Sequence, residues 1–225
     1  MVEWFTPNDW HALTLTLKVS ALATGFALVL GVGVAWFFAY RSFKGRNILD
    51  AILTLPMVMP PTVLGYYLLV LFGRKGALGP WLENTFGLQL VFSWKGAVVA
   101  ATVVAFPLIF KSARAAFEDV DRTFENAART LGSSGMGVFF RITLPLAARG
   151  IIAGMLLAFA RAMGEFGATL MIAGNLPGRT QTLSMAVYDA VQAGDDLRAN
   201  ALVILISVVC VTILAASGYL LAPRR

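Results

Sequence analysis

The chain has 225 residues, 58% of them hydrophobic and only 13% charged, with a mean hydropathy of +0.76. Soluble domains run at about half apolar and about a quarter charged, so the composition excludes an ordinary soluble globule and points to a membrane protein. The net charge of +6 does not indicate nucleic-acid binding: no patch of interleaved basic and aromatic residues is present, and basic residues collect on the cytoplasmic side of membrane proteins.

The N-terminus carries Glu3 and Asp9 ahead of a long apolar run. A cleaved secretory signal has a basic start and a short apolar core, so the first run is expected to be a retained anchor. Runs of about 20 apolar residues cross the hydrocarbon core as helices. Five are expected, at 11–40, 48–72, 96–115, 149–173 and 197–221, making one all-α integral membrane domain over 1–225. Lys18 near the outer end of the first can snorkel to the surface.

The second run holds Pro56, Pro60 and Pro61, followed by Thr62. Each proline lacks an amide donor and disturbs the turn before it. Two readings stay open: an inert kink, or a helix lining a translocation path with Pro60, Pro61 and Thr62 at the break. The connection at 73–93 contains Gly79-Pro80-Trp81 and reads as a loop. Trp81 and Trp94 suit the membrane interface.

The loop at 118–145 is the richest stretch. Val120, Phe124, Ala127, Ala128 and Leu131 recur at helical spacing and predict one apolar face. Glu125 and Arg129 are expected on the opposite side, paired at i,i+4. Gly132 ends this helix, Ser133 or Ser134 starts a second short one, and Pro145 is expected to close it. Such a face is too short to span and is expected to lie on the membrane, on its own bundle or on a partner.

The fourth run contains Arg161-Ala-Met-Gly164-Glu165-Phe166-Gly167. Charge deep in a membrane helix is costly and generally has a partner. Arg161 and Glu165 are either a self-contained ion pair that fixes packing or part of a gate. Gly164 and Gly167 are expected to allow close helix approach. In the fifth run, the single cysteine, Cys210, reads as a small buried apolar residue.

Basic residues concentrate after the first span (Arg41, Lys44, Arg46), in the 118–145 region with its flanks (Lys111 to Arg149), and at Arg224 and Arg225. This bias predicts a cytoplasmic loop after the first span, a cytoplasmic 118–145 loop and a cytoplasmic C-terminus, with the N-terminus periplasmic. No G-x-x-x-x-G-K-[ST] loop is present, so nothing in the chain is expected to hydrolyse ATP. No catalytic, cofactor or metal-ligating set is found; His11 stands alone.

Glu125-Asn-Ala127-Ala128-Arg-Thr-Leu131-Gly132, then Phe140-x-Ile142-x-Leu144-Pro145, resembles the "EAA" coupling loop of ATP-binding-cassette (ABC) importer permeases; Asn126 departs from the pattern. Arg161 to Ala168, Leu55 to Val63, Thr130 to Ser134 and Arg179 to Leu183 are similar to the molybdate, tungstate and sulfate permeases, over roughly 12–220. The resemblance implies a type I importer (MetI-like) fold with cytoplasmic coupling helices. It assigns Glu125, Ala127, Ala128, Leu131, Gly132, Phe140 and Pro145 to ATPase coupling. It also implies a homodimer in the inner membrane, two ATPase subunits that bind ATP and Mg, and a periplasmic molybdate-binding protein. The short five-span form favours molybdate; tungstate or sulfate/thiosulfate is the alternative cargo.

Overall fold

The computed structural model describes residues 5–221, with the side chains at 216, 217 and 219–221 left aside. Glu3, Arg224 and Arg225, which entered the charge argument, lie outside the described residues. Among the described residues every regular element is a helix: α1 (Pro7–Tyr40), α2 (Arg46–Val58), α3 (Pro61–Phe72), α4 (Gly79–Phe86), α5 (Trp94–Glu118), α6 (Arg122–Thr130), α7 (Gly135–Val138), α8 (Leu144–Met163), α9 (Gly167–Ala173), α10 (Leu183–Gln192) and α11 (Asp196–Leu221). A π-helical turn, Phe139–Thr143, joins α7 to α8.

Among the described residues four helical stretches are long and apolar enough to cross a membrane, and the bent pair α2 and α3 passes the same test when the two are taken together. α5 sits at the centre, with 61% of its apolar window buried against 17% for α11. It packs on α1, α8 and α9. The seam is built from small residues: Ala23, Ala97, Ala100, Ala101, Ala105 and Ala158 are fully buried. Without a hydrophobic drive between helices in lipid, close backbone approach and dispersion hold such a seam. Toward one end the core turns aromatic, with Phe38, Phe110 and Phe117 buried together.

Two expected spans are not continuous. The 48–72 run breaks at Met59-Pro60 and bends by 111°. A residue before proline is pushed out of the helical region, and here two successive residues precede a proline. Met59 (ψ 143°) and Pro60 (ψ 131°) are both extended. Pro56 lies inside α2 without ending it, so only the proline pair breaks the span. The 149–173 run also divides: α8 stops at Met163, and α9 restarts at Gly167.

The ends of the bundle are tied by charge. Asp50 on α2 pairs with Lys111 (2.6 Å) and Arg114 (2.7 Å) on α5, and Glu118 accepts from Arg46 (2.9 Å) and Arg114 (2.9 Å). At the opposite end Arg198 of α11 pairs with the buried Asp9 of α1 at 2.6 Å. The Thr6 amide and hydroxyl donate to the second Asp9 oxygen, closing a capping box.

Candidate functional site: the 118–145 loop and two broken spans

α6 starts on Asp121, whose carboxylate accepts from the Thr123 amide at 2.8 Å. That backbone hydrogen bond holds the Asp121 carboxyl below its ordinary value. α6 ends at Gly132, which lies at φ +85°, a region that favours glycine. Ser134 caps α7 by accepting from the Gly137 amide at 3.2 Å. These features follow the sequence expectation. Pro145 does not: it closes nothing, because it sits in the first turn of α8. The π turn absorbs it. The Leu144 amide reaches back to the Phe139 carbonyl, five residues earlier, and the helical rod continues into the membrane.

The expected apolar face of this segment is divided: Val120 and Ala128 are buried, whereas Phe124, Ala127 and Leu131 are exposed. Glu125, expected on the outside beside Arg129, is 1% exposed. One of its oxygens, Oε1, accepts from the Tyr40 hydroxyl and from the Thr143 hydroxyl (2.5 Å). No ion pair joins it to Arg129 among the described residues. The carboxylate therefore clips α6 to the end of α1 and to the π turn. Ala128 is buried beside it, while Phe124 (57%), Leu131 (87%), Met136 (71%) and Phe140 (58%) stand exposed, as do Ala127, Gly132 and Pro145. The two hydroxyl donors on Oε1 hold the carboxyl inside, although its second oxygen, Oε2, is buried without a hydrogen-bond partner, and the larger apolar residues of α6 are left facing outward. Tyr40 and Thr143 were not singled out in the sequence. They lie 85 and 18 positions away from Glu125, and no local pattern links them.

The two broken spans meet at their breaks. Gly167, at the start of α9, lies against Pro61 and Thr62, at the start of α3; a Cβ there would stand 2.9 Å from the Pro61 Cβ. One turn on, a Cβ at Gly65 would stand 2.6 Å from the Met171 Cβ. The expected close approach therefore belongs to Gly167 and not to Gly164, which is exposed with only ordinary contacts. Glu165 is buried in this break. Its Oε1 accepts from the Ala168 amide at 2.8 Å, and its Oε2 pairs with Arg161 Nη1 at 2.9 Å. Of the two readings for these residues, the internal ion pair is formed, and it has a second duty in capping α9. Phe166 leans on Tyr188 of α10, ring centroids 5.2 Å apart. Pro60, Pro61 and Thr62 are exposed on the outer side of the junction.

At the end opposite the α6 loop, a cavity of about 480 Å³ is lined by His11, Lys18, Trp94 and Arg179, with the Lys18 ammonium 3.7 Å from the Trp94 ring centroid.

The family model for the inner membrane component of binding-protein-dependent transport systems matches residues 27–225. The molybdenum transport system permease protein ModB of Escherichia coli K12 is 46% identical over 93% of this chain and 92% of its own length. The putative molybdenum transport permease YvgM of Bacillus subtilis is 42% identical, over 92% and 89%. The sulfate transport permease CysW of Synechococcus elongatus is 34% identical, over 81% of this chain and 64% of its own length. Among solved structures, a chain of the inward-facing MetNI methionine ABC transporter superposes with a TM-score of 0.75 at 18% identity, covering 98% of both chains. A chain of the bacterial alginate ABC transporter, solved with a pentasaccharide-bound periplasmic protein, gives 0.75 at 17% identity, over 95% of this chain and 78% of that one. At such identities the likeness speaks for the fold alone, and the fold is that of the ABC importer permeases. The chain belongs to the family of binding-protein-dependent transport system inner membrane components, alongside the curated permeases named for molybdenum transport.

Proposed function

We propose that this chain is the membrane permease subunit of an ATP-driven importer of molybdate. It is a multi-pass inner-membrane protein and not an enzyme. The observation that carries the cargo assignment is the 46% identity to a molybdenum transport permease across 93% of the chain. The sulfate permease relative is matched over less of its own length and at lower identity, which places sulfate second.

Molybdate is doubly charged and strongly hydrated, so it needs a path enclosed by protein. Two copies of this chain enclose it in our reading. The apolar faces of α2 and α3 support a partner copy or lipid there: Val58 is 82% exposed, and no residue of α2 is buried. The junction of Pro60, Pro61 and Thr62 with Gly164 to Gly167 borders the path. Half-helix breaks that meet in mid-membrane are where transporters commonly place such paths.

Energy arrives through the 118–145 loop. Phe124, Ala127, Leu131 and Phe140 present the face that an ATPase subunit takes up, while Glu125 and Ala128 hold that face in place from behind. ATP and Mg belong to that subunit. A periplasmic molybdate-binding protein docks at the opposite end, where His11, Lys18 and Arg179 line the basic cavity. In this reading the N-terminus lies in the periplasm and the C-terminus in the cytoplasm, as the basic bias of the loops supports.

The test is uptake of labelled molybdate by a strain lacking its own molybdate permease, complemented with this chain and its partner subunits. Saturable uptake that unlabelled molybdate suppresses and sulfate does not is expected. Uptake suppressed equally by sulfate overturns the cargo assignment. Absence of uptake with confirmed assembly overturns the function.

A further inference from the structure

A cavity lies where α1 meets the loop helix. It has a volume of about 650 Å³ and is lined by Arg41 and by Arg122 and Arg129 of α6, with Trp36, Phe37 and Tyr40 as its aromatic walls. No carboxylate lines it. The nearest acid bonded to a wall residue is Glu125, which is buried and engaged by Tyr40 and Thr143. Arg122 is held in place, its guanidinium 4.1 Å from the Tyr40 ring centroid and its Nη2 donating to the Ala39 carbonyl at 3.3 Å. Arg41 and Arg129 have no acidic partner among the described residues.

Three converging guanidinium groups with no counter-charge call for an anion. The cavity also has an apolar side. Trp36 (42% exposed) and Phe37 (47%) close it toward the membrane, and they continue the outward stripe of α1 through Phe26, Val29 and Leu30. Charge at one end and an exposed apolar track running out of the other match an amphiphile rather than a small ion.

We propose that this cavity is a binding site for the headgroup of an anionic phospholipid of the inner leaflet, with the acyl chains lying along the α1 stripe. The proposal rests on the cytoplasmic placement of the α6 loop given above. Because two of the three arginines belong to α6, the bound lipid braces the ATPase-docking helix against the membrane surface. Bulk lipid composition then sets how firmly the loop is held.

The assembled importer in detergent is titrated with dioleoyl phosphatidylglycerol or dioleoyl phosphatidylcholine, and retained lipid is read by native mass spectrometry. Parallel arms add inorganic phosphate or molybdate without lipid. We expect one phosphatidylglycerol per chain in preference to phosphatidylcholine, undisturbed by millimolar phosphate or molybdate. In the Arg41→Gln/Arg129→Gln variant its retention weakens about 30-fold, which is about 1 kcal/mol for each cation removed near the surface. Equal retention of the two lipids, or unchanged retention in the variant, overturns the site. Displacement of the lipid by phosphate or molybdate makes it a free-oxyanion site and overturns the lipid assignment. Loss of the ATPase subunit from the variant with phosphatidylglycerol still bound shows the arginines to be protein contacts and overturns it as well. Labelling of Lys44→Cys, in a Cys210→Ala background, by an impermeant maleimide separates the two levels. Labelling from the outer face overturns the orientation and the inner-leaflet assignment together. Labelling from the inner face with equal lipid retention overturns the lipid site alone.

Discussion

Leu131 and Glu125 lie six residues apart on the same loop, and the structure gives them opposite duties. Leu131 is 87% exposed and supports nothing within the chain, whereas Glu125 is 1% exposed and joins α6 to α1 and the π turn. Burying a whole leucine side chain stabilises a contact by about 1.5–3 kcal/mol. Leu131→Ala keeps one methyl group, so docking loses about 1–2 kcal/mol per loop, a weakening of roughly 5- to 30-fold. Chain stability should not change. Glu125→Ala removes the acceptor of two hydroxyl groups, leaving the buried Thr143 hydroxyl unsatisfied while the half-buried Tyr40 hydroxyl turns to water, a loss of about 1–3 kcal/mol in stability. Two measurements on the purified protein separate these effects: the melting temperature of the permease, and the affinity of the ATPase subunit for it in nanodiscs. The expected pattern is a lowered affinity with unchanged melting for Leu131→Ala, and lowered melting for Glu125→Ala. An unchanged ATPase affinity in Leu131→Ala refutes the docking face. An unchanged melting temperature in Glu125→Ala refutes the clip.

Gly132→Val should destabilise the loop by about 1–3 kcal/mol through its left-handed backbone, while Gly132→Asn is tolerated; no neighbour lies within 4 Å of a Cβ there, so proteolytic nicking of the loop, not global melting, is the sensitive readout. Gly65→Ala places a methyl group 2.6 Å from the Met171 Cβ, and overpacking of about 1–3 kcal/mol should lower both the melting temperature and molybdate uptake. Arg161→Ala, Glu165→Ala and the double variant form a thermodynamic cycle in thermal unfolding. A coupling of about 0.5–3 kcal/mol is expected, and strict additivity removes the ion pair from the account. Asp50→Asn breaks partly exposed pairs to Lys111 and Arg114, so it should cost about 1 kcal/mol or less for each pair, an effect that shrinks in 1 M salt.

What the sequence made legible was whatever local chemistry dictates. Apolar runs mark spans because their length is set by the bilayer. Gly132 and Ser134 mark a turn because backbone and side chain decide it within a few residues. The proline pair marks a break, although its 111° bend depends on what α3 packs against. What escaped was tertiary. Spacing alone grouped Phe124, Ala127 and Leu131 with Val120 and Ala128 and set Glu125 opposite, because periodicity shows that a helix has two faces but not which residues turn inward. Tyr40 and Thr143 decide that, and neither carries a local signature. Similarly, Asp50 and Lys111 lie 61 positions apart, and only the packing of α2 along α5 brings them together. Pro145 looked like a stop because a proline removes an amide bond, and the π turn supplies a different ladder that keeps the helix going.

The same π turn joins the 118–145 loop to the broken spans. α8 begins at Leu144, directly after the turn that Glu125 grips through Thr143, and runs 20 residues to Met163. At 1.5 Å per residue that is about 30 Å, the thickness of the hydrocarbon core. Its far end carries Arg161 and leads into Glu165, which caps α9, and α9 lies against the start of α3. A push on the exposed face of α6 thus meets a clipped joint, then a stiff rod, then the short non-helical step at 164–166 that Glu165 ties to α9, and then the junction of the two broken spans. Spatial continuity is a route and not yet a coupling energy. A cycle between Leu131→Ala and Gly65→Ala, read as molybdate-stimulated ATP hydrolysis, measures that energy across the membrane. If the rod carries the signal, the double variant departs from the product of the single effects. If the loop and the junction act independently, the effects multiply.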